Sequence, residues 1–468
     1  MNARLKRISA QKRRARVVTL ALWMLSAATG VVGCRAEGPP LPDLVLITVD
    51  RLAADRLSCF GGASDAGGSV CALGRQGTLF AWAASPGRGE ASGAATVLTG
   101  LPEAIHGVGD DGQSFLANAH PSIVEDLSAA GYATAAFVTS PRVNRSRRLD
   151  RGFDLYDDRL ASPSRKDRVG THAGDYAGDN AGDNAGSIDL ASRVRAWIDA
   201  APSPWFVWIH ADRDAGLVEL DRLLSRLSQT FDREAGGPGI LFLALRGEPE
   251  PASPGIKATP DADQTIGWRT HRVPLIWRPP TYDHAHAGPA PRSVSRRLAS
   301  LMDIVPTLRA AAHLLPLTAP SKNGEDAAPN GPWPGGAGRD LSAIDVAPRS
   351  DTSSEERFLL LEASGAGSDV GLASRNHLYT RHASPFDGTG RPVQTSSLIP
   401  LAARFASLPK NDPLGSPAPG SARLEPGPWR KDVLGAESPV PRLEFHLARQ
   451  LGAQRNARQN THQKRGLQ

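Results

Sequence analysis

Pro42-Asp-Leu-Val-Leu-Ile-Thr-Val-Asp-Arg-Leu-Ala-Ala-Asp-Arg-Leu-Ser-Cys-Phe-Gly-Gly62 is the stretch on which the reading of this chain turns. Leu44 to Val49 is a short apolar run rich in β-branched residues, the pattern of a strand buried on both faces. The run ends on Asp50, so a carboxylate is delivered to the carboxyl end of a strand. Open α/β sheets bind their ligands along that edge.

Outward from this strand the pattern alternates. Gly61 to Gly68 reads as a glycine-rich loop, Phe80 to Ser85 leads into a second functional loop, and Ala91 to Gly100 reads as a short helix of small residues. Ser122 to Ala130 spaces Ile123, Leu127 and Ala130 as a helix does, and Tyr132 to Val138 is the next strand. Helix Ile188 to Ala200, strand Trp205 to His210, helix Leu217 to Phe231 and strand Gly239 to Leu245 then follow in turn. This is the βαβ rhythm of a mostly parallel sheet.

With 468 residues, 40% of them apolar, the chain can bury one large or two unequal cores. An N-terminal α/β domain spans 42–312, and a Pro/Gly-rich linker or insert follows over 313–356. Phe358 to Glu362 and Leu372 to Thr380 read as strands of a smaller subdomain over 357–450, ahead of a polar, basic tail at 451–468. Ala173 to Gly186 repeats Ala-Gly-Asp-Xaa; its aspartates suggest calcium, but neither an EF-hand nor a β-helix repeat has this spacing, and a flexible insert is the plainer reading.

The formal charge of +6 invites a nucleic-acid reading, which its distribution removes. Residues 1–33 hold seven basic side chains and no acidic one, so without them the charge falls from +6 to −1. That leader has a charged start, the apolar stretch Val17 to Gly33, and then Cys34, the order of a secretory signal peptide. A cysteine after a small residue resembles the lipobox of bacterial lipoproteins. Cys34 is then the lipid-attachment residue, 34–41 the lipid-proximal linker, and the chain an envelope protein on the periplasmic or outer-membrane face. An uncleaved anchor helix is the competing reading, slightly short of the roughly 20 residues a span needs. Cys59 and Cys71 remain, able to pair in an oxidising compartment or to stand as two half-buried thiols.

Several ordered segments resemble one family. The opening strand and its loop, Val97-Leu-Thr-Gly-Leu101, His106-Gly-Val108, Ala130 to Asp158 with its Leu149-Asp-Arg-Gly-Phe-Asp154 turn, Arg272 to Pro280 and Met302 to Leu308 are similar to landmarks of the sulfatases, within the alkaline phosphatase superfamily. The resemblance runs from about Pro42 to Leu308, with fainter echoes to Thr380. It implies a mostly parallel central sheet flanked by helices, with a smaller C-terminal subdomain.

The resemblance also implies a site, and there this chain departs from the pattern. Sulfatases use a formylglycine made from the Cys or Ser of Cys/Ser-Xaa-Pro-Xaa-Arg, beside a divalent metal. In the register fixed by the landmarks, Glu90 falls on the nucleophile, Ser92 on the proline and Ala94 on the arginine. Glutamate cannot become formylglycine, and its charge opposes an approaching anion. Ser85 lies too early in the loop, and Ser92 lacks the residues that direct the modification. Asp50 is a remnant metal ligand, whereas Arg51, Leu245 and Arg246 stand at substituted ligand positions. One carboxylate is far short of the six to eight oxygens that calcium takes. His210 matches the first histidine of His-Xaa-Xaa-Asp-Pro-His, but the Pro-His is missing; a structural strand-end histidine and a surviving acid both fit.

These substitutions exchange metal charge for protein charge. The expectation is that Arg246 fills the former metal cavity and pairs with both Asp50 and Glu90, with Arg51 adding a second positive charge. The functional expectation is a sulfatase-like, lipid-tethered envelope protein without catalysis and without a cofactor, binding a sulfated or phosphorylated glycan and no nucleic acid. The alternative is an active sulfate or phosphate ester hydrolase with a remodelled site, which would need Ca2+ or Mg2+.

Overall fold

A computed structural model of the chain describes residues 40–62, 67–87, 89–110, 112–159, 190–212, 217–231, 237–249, 266–281, 293–314, 338–342, 359–362, 370–373, 377–383 and 394–400. Cys34, the Val17–Gly33 stretch, the Ala-Gly-Asp repeat and the basic tail lie outside them. No helix among the described residues is long and apolar enough to cross a membrane.

The strands are β1 (Leu44–Arg51), β2 (Thr78–Ala84), β3 (Ala133–Val138), β4 (Leu155–Asp157), β5 (Trp205–Ala211), β6 (Gly239–Arg246), β7 (Arg272–Val273), β8 (Leu275–Arg278) and β9 (Ser293–Ser300). They form one sheet in the order β4-β3-β5-β1-β6-β8-β2-β7, with β9 beside β2. From β4 through β6 every neighbour is parallel. β8 then runs antiparallel to both β6 and β2. The sheet is therefore mostly parallel with a mixed flank, as the alternating pattern requires. β1 and β5 are buried along nearly their whole length, because a central strand of such a sheet is covered on both faces.

Local chemistry sets the element ends. Ser122 caps the Ile123–Ala129 helix in a reciprocal box with Glu125: the Glu125 amide donates to Ser122 Oγ, and the Ser122 amide donates to Glu125 Oε2 at 2.7 Å. The Leu149–Asp154 turn is fastened to β3, where the Thr134 amide donates to Asp154 Oδ2 at 2.8 Å and its hydroxyl to the Gly152 carbonyl at 2.9 Å. Gly152 has φ +85°, and a Cβ there would lie 2.6 Å from the Glu125 amide nitrogen, so only glycine fits.

Three expectations change and one open alternative is settled. The glycine-rich stretch ends sooner than Gly68, which already opens a helix, Gly68–Gly74. Cys71 on that helix is bonded to Cys59 and ties it to the loop after β1. The 313–356 linker is not all loose: within it Leu341 is buried, its amide donating to Thr307 Oγ1, while the Arg339 amide donates to Asp303 Oδ1. Finally, Leu372 to Thr380 is not one strand. It is split between β11 (Val370–Ala373) and β12 (His377–Ala383), antiparallel neighbours in a second sheet with β10 (Leu359–Glu362) and β13 (Gln394–Pro400).

Candidate functional site

The carboxyl ends of β1, β5 and β6 lie side by side, so Asp50, His210 and Arg246 come to one edge of the sheet. The Glu90–Thr99 helix points its first residue at the same edge. This helix begins at Glu90, one residue before the sequence suggested, and Glu90 is 1% exposed. Its N-cap, Gly89, supplies no side chain. Asp110 does the capping instead, accepting from the Glu90 and Ala91 amides at 2.9 Å each. A Cβ on Gly89 would come within 2.8 Å of Asp110, so glycine is what lets that carboxylate approach. Carboxylates suit this end of a helix, where free amides and the helix dipole favour negative charge.

Arg246 meets Asp50 with a two-pronged fork. Its Nε donates to Asp50 Oδ1 at 2.7 Å and a terminal nitrogen donates to Oδ2 at 2.9 Å. Asp50 is 1% exposed, so this is a largely desolvated pair in the bidentate geometry that makes guanidinium–carboxylate contacts strong. Burial works against the Arg246 charge. The Asp50 hydrogen bonds and charge, together with the charges of Asp110 and Glu90, outweigh it and raise the arginine pKa above its ordinary value.

The expected second half of that arrangement is different. Glu90 is held by His210, whose Nε2 lies 2.9 Å from Glu90 Oε1, and by Arg142, whose Nε lies 3.7 Å from Oε2. Arg246 therefore engages Asp50, and histidine takes the place at Glu90 that the charge argument gave to arginine. The reason is register: Thr48 on β1 pairs with His210 on β5, directing that ring across the strand end toward the helix. Arg51 sits half-buried at the register position beside Arg246, and Arg246 is the cation on Asp50.

His210 is fully buried in a hydrogen-bonded chain. The Trp208 indole, which can only donate, gives its proton to Thr48 Oγ1 at 2.9 Å. That leaves the Thr48 hydroxyl proton for His210 Nδ1, 2.8 Å away. With Nδ1 accepting, the ring proton belongs on Nε2, facing Glu90. The chain Trp208–Thr48–His210–Glu90 thus fixes the glutamate's direction from the inside of the sheet.

Leu245 is fully buried and packs on the same helix. A Cβ on Gly93 would lie 2.8 Å from the Leu245 Cβ, so the glycine lets helix and strand close on an apolar side chain where a metal ligand was expected. Ser85 Oγ donates to the Gly87 carbonyl at 2.9 Å, a turn contact. Ser92 is buried on the helix, beside Gly87 and away from Glu90. Neither serine stands with the carboxylates.

Sequence reasoning missed Asp212, Asp110, Arg142 and the Thr48–Trp208 relay. Asp50, Glu90 and Asp212 each offer an oxygen, all within 4.8 Å of one another. Asp212 follows His210 by two residues and lies just past the end of β5, a place at the sheet edge that was legible. Arg142, 56% exposed, bridges from the rim to Glu90 and, at 3.8 Å, to Asp110; no sequence signal marks it.

The fold family implies a dication here, and the donor set does not fit one. Both Asp50 oxygens are taken by Arg246, Glu90 Oε1 faces His210, and the end of β6 presents Leu245 and a guanidinium where oxygen ligands are needed. A hard cation requires six or more oxygens and no competing positive charge.

Residues 42–214 match the sulfatase family model. The phosphonate monoester hydrolase of Agrobacterium radiobacter is similar at a TM-score of 0.57 and 16% identity, over 77% of this chain and 90% of that one. A 2-O GAG sulfatase matches at 0.54 and 11%, over 78% and 86%. A protein solved with its substrate D-glucosamine-2-N,6-O-disulfate matches at 0.55 and 11%, over 80% and 92%. These likenesses establish the alkaline-phosphatase/sulfatase-like fold. No curated protein matches the sequence.

Proposed function

We infer the function of a chain that carries a sulfatase-family domain and fold: it is a binding or scaffolding module of the bacterial cell envelope and does not catalyse ester cleavage. The observation that carries this is the Arg246 fork on Asp50, which puts a protein-borne cation where the fold's chemistry uses a Lewis acid. Glu90 supports it, since a carboxylate at the nucleophile position cannot be converted to formylglycine. No cofactor belongs to this reading.

The ligand class is a sulfated or phosphorylated glycan, in keeping with relatives that act on sulfated sugars. Its anionic groups would be met at the rim by Arg142, because Asp50, Glu90, Asp110 and Asp212 make the floor hostile to anions. Attachment is through a lipid on Cys34, on the periplasmic or outer-membrane face. The Cys59–Cys71 disulfide supports an exported chain, since such bonds persist in oxidising compartments.

A remodelled hydrolase is the second reading, and His210 against Glu90 with Asp212 close by is what favours it. Full-length protein assayed with aryl sulfate, aryl phosphate and a phosphonate monoester, with added Mg2+ or Ca2+, separates the two. The binding module gives background rates in every case. Turnover that disappears in Glu90→Gln would establish the hydrolase.

A further inference from the structure

We propose that Arg246 is the resident cation of this cleft: the guanidinium replaces a divalent ion structurally, the wild-type site takes no metal, and removing the guanidinium opens the carboxylates to a hard dication. The inference concerns the same cleft as the functional reading but a different quantity, cation occupancy instead of turnover.

Three observations lead to it. Asp50 sits 1% exposed at the end of β1, a place where an ionised carboxylate needs a compensating charge close by. Arg246 supplies that charge through both prongs of its fork, at 2.7 and 2.9 Å. Glu90 and Asp212 each bring an oxygen within 4.8 Å of an Asp50 oxygen, and the charges of Asp110 and Glu90 act on the guanidinium together with that of Asp50. Guanidinium suits this role better than ammonium does, being more weakly hydrated, permanently charged and planar against a carboxylate.

The neighbouring substitution completes the exchange. Leu245 is fully buried against the Gly93 face of the helix and puts hydrocarbon at the end of β6. A dication entering the wild-type cleft would lose an oxygen ligand there and face Arg246 at close range. With arginine gone, Asp50, Glu90 and Asp212 remain as three convergent carboxylates, with solvent to fill a hard ion's other positions.

The test uses the full chain, exchanged into chelator and then back into buffer. For wild type, metal analysis is expected to find no stoichiometric Ca2+, Mg2+ or Mn2+, and the unfolding temperature to be the same in EDTA and in millimolar dication. Arg246→Ala in EDTA is expected to unfold lower by roughly 5–10 °C, since it leaves Asp50 buried without its partner. Millimolar Mg2+, Ca2+ or Mn2+, or methylguanidinium, should recover most of that loss. The double variant Asp50→Asn, Arg246→Ala should recover nothing. Arg246→Lys keeps a tethered cation and should stay indifferent to metal. If Arg246→Ala does not accumulate as folded protein, wild type and Arg246→Lys decide the matter alone.

A stoichiometric dication in wild type, or a fall in wild-type stability on chelation, would overturn the inference. So would an Arg246→Ala protein that unfolds like wild type and ignores added cations. Ester turnover by a metal-free wild type would remove the functional reading while leaving this one in place, so the two fail separately.

Discussion

The Leu149–Asp154 turn and the cleft at the ends of β1, β5 and β6 are built from the same kinds of residue and have kept different things. In the turn, Asp154 accepts from the Thr134 amide and hydroxyl, and Gly152 gives its carbonyl to the same hydroxyl. Thr134, Asp154 and Arg151 all bond to backbone there, and Arg151 also reaches the Asn118 and Glu125 side chains. In the cleft, Arg246 holds Asp50, and His210 joins Glu90 to Thr48, all by side-chain to side-chain bonds. The turn lies within the stretch that matches the sulfatase family model, whereas Arg246 of the cleft lies beyond it. The turn is tied mostly to backbone and the buried cleft groups mostly to other side chains, so charges at the sheet edge can be exchanged without cutting the bonds that hold the turn.

The largest effect expected outside the cleft comes from breaking the frame. Gly152→Ala puts a methyl group 2.6 Å from the Glu125 amide nitrogen, at a residue with φ +85°. Left-handed backbone costs an L residue about 1–2 kcal/mol, and overpacking adds about 1–3. Unfolding in urea should show roughly 2–5 kcal/mol of lost stability, with the metal response of Arg246→Ala unchanged when the two are combined. A loss under about 1 kcal/mol would show that the turn moves freely, and the contrast with the cleft would weaken.

A smaller, pH-dependent effect belongs to the joint between frame and cleft. His106 is buried behind the Glu90–Thr99 helix; its Nδ1 accepts from the Val108 amide at 3.0 Å and its Nε2 lies 3.2 Å from Thr96 Oγ1. Burial, with help from the charge of nearby His120, pushes its pKa down to about 3. The unfolded chain binds a proton near the ordinary value of about 6.5, so below that pH unfolding gains a proton that the native state refuses. The contribution is full above about 6.5 and drains away as pH falls toward the folded value, at up to about 1.4 kcal/mol per pH unit. Going from pH 6.5 to 5 should cost wild type up to about 2 kcal/mol more than it costs His106→Gln, followed by denaturant titration at each pH. Equal slopes for the two proteins would place the acid sensitivity elsewhere.

How much of this was legible follows from the same contrast. The frame could be read where its determinants are local: β-branched runs and the helical spacing of Ile123 and Leu127 lie within a few residues of what they shape, and the Leu149–Asp154 turn was found by its resemblance to a family landmark. The cleft could be read only in part. Asp50 and Arg246 stand out as opposite charges at the ends of two strands, and β1 and β6 prove to be neighbours. The partner of Glu90 depends on β5 lying on the other side of β1, in register so that Thr48 meets His210, and strand order in space does not follow order along the chain. Leu372 to Thr380 failed for a different reason. The break between Ala373 and His377, Ser374-Arg-Asn376, carries neither glycine nor proline, so its turn signal rests on serine and asparagine alone.

The smallest effect on stability should come with the clearest effect on binding. Arg142 is 56% exposed, and its contacts to Glu90 at 3.7 Å and Asp110 at 3.8 Å are long. Long contacts from an exposed cation contribute less than about 1 kcal/mol, because water competes for the guanidinium and the long side chain loses freedom in holding them. Arg142→Ala should therefore unfold within about 1 kcal/mol of wild type. A guanidinium that leans on buried carboxylates at a rim is nevertheless well placed to swing to an arriving sulfate, whose bidentate geometry it matches. Retention on immobilised heparin, used as the sulfated glycan, should drop in Arg142→Ala and the difference should shrink as salt rises. Equal retention at every salt concentration would detach glycan recognition from this cleft. A stability loss well above about 1 kcal/mol would instead show that Arg142 belongs with Arg246 among the cations that hold the buried carboxylates in place.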